Sequence, residues 1–133
     1  MTVKLYVASS NGSSRNARAW FQRHHIPFTE RNMMAQPLQP NEIKRLLRMT
    51  ENGTEDLIST RAKIFSQLKL DLETISTGEL IKLIAQHPDL LKRPIMFDEK
   101  RLQIGYNEED IRRFLPRKTR QLELARIRAK LVV

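Results

Sequence analysis

The 133-residue chain reads as an α/β protein with a central mixed four-stranded sheet and a helical insertion. Three stretches carry that expectation: a β-α-β opening over residues 3–32, a helix-rich segment over about 40–92, and a strand, tight turn and strand from Arg93 to Ile104. The length suits one domain with at most a small appendage. Hydrophobic residues make up 40% and charged residues 29%, which is ordinary globular usage and argues against bulk disorder.

Each element has a local signature. Val3 to Ala8 alternates, with β-branched Val3 and Val7, and reads as a strand. Ser9-Ser10-Asn11-Gly12-Ser13-Ser14 is a polar turn whose serines suit an N-cap. From Arg15, the spacing of Ala17, Trp20 and Phe21 predicts an amphipathic helix to about His24, broken by Ile26-Pro27-Phe28. Phe28 to Asn32 can form a second strand, and the handedness of β-α-β units makes that pair parallel. Pro40 suits a first helical turn, with Ile43, Leu46 and Leu47 as the apolar stripe that follows. Thr50 to Thr54, around Asn52-Gly53, reads as a helix connector. Leu57 to Leu70 and Gly78 to Ala85 read as helices, and Asn107 caps a closing helix holding Asp110, Ile111 and Phe114. This order is that of a thioredoxin-like layer fold over residues 1–115, with the insertion at about 40–92 and a basic C-terminal helix or tail over 116–133.

The formal charge of +9 implies an anionic partner or a basic surface. From Arg112 onward there are eight basic residues against one acid, Glu123, so the preceding 111 residues are nearly neutral. Pro116 separates body from tail. Leu122, Leu124, Ala125, Ile127 and Leu131 recur at roughly helical spacing, so the tail reads as a solvated basic helix or as an electrostatic arm for nucleic acid or an acidic protein. Arg117, Lys118 and Arg120 are its candidate nucleic-acid contacts. No stretch is long and apolar enough to span a membrane, and the first residues lack a secretory pattern, so a cytoplasmic location is expected.

Little chemistry is legible. With no cysteine, disulfides, thiolate catalysis and iron–sulfur clusters are ruled out. The three histidines have no ligand spacing, so neither a metal site nor a cofactor is expected. Asp98-Glu99 reads as turn chemistry, and Glu108-Glu109-Asp110 as acids at a helix start. One location stands out. Asn11 and Ser14 straddle the start of the first helix, where a redox Cys-x-x-Cys sits in a thioredoxin-like scaffold. An amide and a hydroxyl cannot shuttle electrons, but the helix start could hold an anion, aided by Arg15, Arg61 or Arg93.

Three long runs carry a resemblance: SRNARAW (Ser14–Trp20), RMTENGTEDLISTR (Arg48–Arg61) and HPDLLKRPIMFDEKRLQIGYNEEDIRRFLPRK (His87–Lys118). On these the chain resembles the Spx-type transcriptional regulators of the arsenate-reductase-like ArsC family, in the thioredoxin superfamily, from Leu5 to about Arg120. The resemblance implies a non-enzymatic, stress-response regulator that binds the C-terminal domain of the RNA polymerase α subunit and alters promoter use. It assigns the polymerase contact to Gly53 and Arg48, switch-adjacent arginines to Arg61 and Arg93, and the superfamily's cis-proline to Pro94. It also implies promoter DNA and the ClpXP protease as further partners. The departures are specific: Asn11-Gly12-Ser13-Ser14 replaces the Cys-x-x-Cys switch, Ile104-Gly105-Tyr106 lacks the reductases' third arginine, and Leu131-Val132-Val133 is not the usual degradation signal. The expected function is therefore redox-insensitive regulation. Two alternatives remain open: a DNA-binding accessory protein working through its basic tail, and a cysteine-free thiol transferase using Ser14 or Ser10.

Overall fold

The computed structural model describes residues 2–8 and 11–132, apart from the side chains of residues 120, 123 and 132. Four strands form one mixed sheet: β1 (Val3–Val7), β2 (Phe28–Asn32), β3 (Ile95–Phe97) and β4 (Leu102–Ile104). Their order is β2-β1-β3-β4. β1 runs parallel to β2 with Val3 opposite Phe28, and antiparallel to β3 with Tyr6 opposite Ile95. β3 and β4 are antiparallel, joined by a turn that Asp98 closes by accepting from the amides of Lys100 and Arg101. The fold is the thioredoxin-like α/β arrangement expected from the order of elements.

The period-2 alternation of the strands divides the apolar side chains between two cores. Val3, Leu5, Val7 and Met96 face α1 (Gly12–Arg23), where Ala17, Trp20 and Phe21 are buried. Phe114 closes this layer, its ring 5.7 Å from that of Phe21. Tyr6, Ile95 and Phe97 point the other way, onto α2 (Pro40–Met49) and, past the short helices α3 (Thr54–Leu57) and α4 (Lys63–Gln67), α5 (Thr77–Gln86). The helical insertion therefore covers one face of the sheet and α1 the other. Arg31 ties β2 to the approach to α2, donating to the carbonyls of Gln36 and Pro37 and to the carboxylate of Glu42.

Two helices expected from periodicity differ. Leu57 to Leu70 is not one helix. α3 stops at Leu57 because Ile58, 1% exposed, is extended and bridges to Leu91. The Ser59 amide donates to Leu90 at 2.7 Å and the Lys92 amide to Leu57 at 2.8 Å. These long-range backbone bonds win over local helix propensity, leaving only the five-residue α4 downstream. The closing segment is a 3₁₀ helix, Asp110–Phe114, in place of an α-helix. Asn107 does cap its approach, accepting from the amides of Glu109 and Asp110.

The chain then forms α6 (Arg117–Val132). The apolar residues noted along it are not packed away: Leu122, Leu124, Ile127 and Leu131 are 51–80% exposed. Among the described residues no helix is long and apolar enough to cross a membrane.

Candidate functional site

The site lies where β1 ends and α1 begins. The N-cap of α1 is Asn11, not a serine. Its backbone is extended, and its side-chain oxygen accepts from the Ser14 amide at 2.8 Å and from the Ser14 hydroxyl at 2.9 Å. Ser14 is 1% exposed, and its Oγ also takes a long 3.4 Å contact from the Ala8 amide at the end of β1. Both ends of the x-x pair are thus bonded to each other. A hydroxyl this deeply buried needs an acceptor, and among the described residues the asparagine carbonyl, one turn earlier, supplies it. The amide that an incoming anion would use at Ser14 is already satisfied from within the chain. Ser10, the other serine considered as a nucleophile, lies outside the described residues.

Pro94 flanks the same end of β1, and the Arg93–Pro94 peptide is cis. The proline carbonyl accepts from the Gly105 amide at 2.8 Å. The Ile58–Leu91 bridge brings the segment carrying Arg61 beside the residues that lead into Arg93. Arg61 is exposed and Arg93 half-buried, and among the described residues neither has an ion pair.

Arg48 and Gly53 belong to a second cluster, at the connector after α2. Arg48 is exposed in the last turn of that helix. Gly53 has φ 72° and ψ −135°, a conformation open to glycine and strained for any residue with a Cβ. A Cβ built there would meet nothing within 4 Å, so the surface over Gly53 is open. Asp56 holds the connector from below, accepting from the amides of Glu51 and Asn52. Those bonds, the Asn52 amide foremost, keep its carboxyl below the usual aspartate range. Sequence reading missed Asp56; its position four residues after Asn52 was the available signal. A groove of about 890 Å³ opens beside this connector, with Met49, Asp56, Lys92, Lys100 and Arg113 in its lining.

The ArsC family pattern matches residues 6–114, from within β1 to the end of the 3₁₀ helix. The chain belongs to the ArsC family. Within that family the chain is similar to proteins named global transcriptional regulator Spx. It is 55% identical to that of Bacillus subtilis (strain 168) over 122 residues, covering 92% of this chain and 93% of the relative. It is 52% identical to that of Streptococcus pneumoniae over 129 residues, covering 96% and 97%. The fold is shared with an arsenate reductase from Vibrio cholerae at TM-score 0.79 and 22% identity, covering 86% of this chain and 98% of that one. An ArsC-related protein from Bacteroides fragilis superposes with TM-score 0.77, with the same identity and coverage. The chain carries no cysteine, so it has no Cys-x-x-Cys motif, and Asn11 and Ser14 stand at the start of α1. The ArsC family match ends at residue 114, before α6.

Proposed function

We propose that this chain is a redox-insensitive transcription regulator of the Spx type, acting by binding the C-terminal domain of the RNA polymerase α subunit through Arg48 and Gly53. More than half identity to regulators of that name, over nearly their full length, supports the regulatory role. The observation that carries the redox-insensitive part is the Asn11–Ser14 bridge. Asn11 Oδ1 takes both the amide and the hydroxyl of Ser14, holding the start of α1 in one closed arrangement by hydrogen bonds that no oxidant or reductant changes. The open surface over Gly53 supports close approach of a partner, since a backbone without a side chain lets another chain reach it.

The transferase reading has less support. The Ser14 hydroxyl is buried and donates to an amide oxygen, which cannot take its proton as a base would. The regulator reading also implies a cytoplasmic location, a core over residues 1–115 with its insertion, and an appended basic helix from residue 116.

The test is binding to purified α C-terminal domain, comparing the wild type with Gly53→Arg in oxidising and reducing buffer. Wild-type binding is expected to be the same in both buffers and to be lost in Gly53→Arg. Equal binding by both proteins, or none by either, sinks the contact assignment; an affinity that follows redox state sinks the central claim.

A further inference from the structure

The geometry points to α6 as a docking surface for the phosphate backbone of duplex DNA, centred on its outer half. The sixteen-residue helix is about 24 Å long. It carries Arg117, Lys118, Arg120, Arg126, Arg128 and Lys130 against a single acid, Glu123. The ion pairs among the described residues lie elsewhere, at Arg18–Glu30, Arg31–Glu42 and Arg101–Asp98. Among the described residues, Arg117, Lys118, Arg126, Arg128 and Lys130 of α6 are therefore not neutralised by the body. At the corner just before the helix, exposed Arg113 is steered by the carbonyls of Leu102 and Asp110, with no described carboxylate bonded to its guanidinium.

How these charges are arranged decides between partners. At about 100° per residue, measured from Leu124, Arg117 and Arg128 fall near 20–40°, Lys118 near 120°, Arg126 near 200° and Lys130 near 240°. Cations thus face every side of the helix. Leu124, Ile127 and Leu131 share a sector of about 60°, but Leu122 lies on the far side, about 160° away. An apolar protein groove needs one continuous apolar face with polar flanks, and α6 does not have one. Pairing with a second copy of the chain would bring two such cationic helices together, at a Coulomb cost. A duplex major groove offers what α6 lacks: phosphates on both flanks, and a width of about 12 Å that admits a helix. The exposed apolar side chains do not block such docking, because they divide the cations without neutralising them. This surface does not depend on the polymerase reading, and the DNA is probed without polymerase.

The test is fluorescence anisotropy of the full chain on a mixed-sequence duplex, from about 50 to 200 mM salt. If the six cations meet phosphates, the plot of log K against log salt should have a slope of about −5. Arg126→Gln/Arg128→Gln/Lys130→Gln keeps helix propensity and should flatten that slope by about 2.7, with at least about tenfold weaker binding at 100 mM salt. Leu124→Gln/Ile127→Gln/Leu131→Gln should keep the wild-type slope. An unchanged slope in the charge variant overturns the proposal. So does absence of duplex binding at about 50 mM salt, the outcome if an acidic protein is the true partner.

Discussion

Replacing Asn11 by alanine isolates the bridge at the start of α1. Two bonds go at once: the cap to the Ser14 amide at 2.8 Å and the bond from the Ser14 hydroxyl at 2.9 Å. Loss of a side-chain N-cap costs about 1 kcal/mol. Among the described residues the Ser14 hydroxyl, 1% exposed, then keeps its long contact with the Ala8 amide and loses its acceptor, at about 1 kcal/mol more. Asn11→Ala should therefore lose about 2 kcal/mol, which for a chain of this size lowers Tm by roughly 6–10 °C. Urea unfolding followed by circular dichroism gives the value, with a lower midpoint and an unchanged m. Asn11→Asp keeps the acceptor and puts a negative charge at the helix start, so it should be at least as stable as the wild type. Ser14→Ala retains the backbone cap, so in a double-mutant cycle the coupling of about 1 kcal/mol reports the hydroxyl bond alone. An Asn11→Ala protein within about 0.5 kcal/mol of wild type, or strict additivity in the cycle, would refute the bridge as the element holding this site.

Other outcomes follow from burial, backbone geometry and charge. Gly53→Ala should cost about 1–2 kcal/mol in urea unfolding through backbone strain alone, because its Cβ meets nothing. Burial alone would raise the carboxyl pKa of Asp98, but bonds from the Arg101 guanidinium and from the Lys100 and Arg101 amides outweigh it and hold it below the usual range. A depressed carboxyl contributes stability above its unfolded value and loses it as pH falls, so Asp98→Asn should flatten the loss of stability below about pH 4. Phe21→Ala, at a fully buried ring packed on Phe114, should cost about 3–5 kcal/mol, while Leu124→Ala on exposed α6 should stay within about 0.5 kcal/mol by the same assay.

Much of this molecule was legible where the signal is local. The alternation of Val3, Leu5 and Val7 and Pro40 ahead of Ile43 place their elements within a residue of the observed bounds, and the stripe of Ala17, Trp20 and Phe21 places α1 three residues late at its start and one at its end. Asp98 closing the β3–β4 turn and Gly53 breaking the connector follow from residue type as well. The Asn11–Ser14 spacing marked the site, but only the folded chain decided that Asn11 and not a serine would cap α1. Ser14 is drawn under the end of β1 and buried, and only then does its hydroxyl need the asparagine.

The composition and order of the chain by themselves determined the fold class, the absence of thiol chemistry and the concentration of charge at the C-terminal end. The tertiary structure alone decided the break at Ile58, whose partner Leu91 is 33 residues away, and the exposure of Leu122, Leu124, Ile127 and Leu131 along α6. Periodicity records which face of a segment is apolar. It does not record whether another segment will arrive to cover that face or take over its backbone hydrogen bonds.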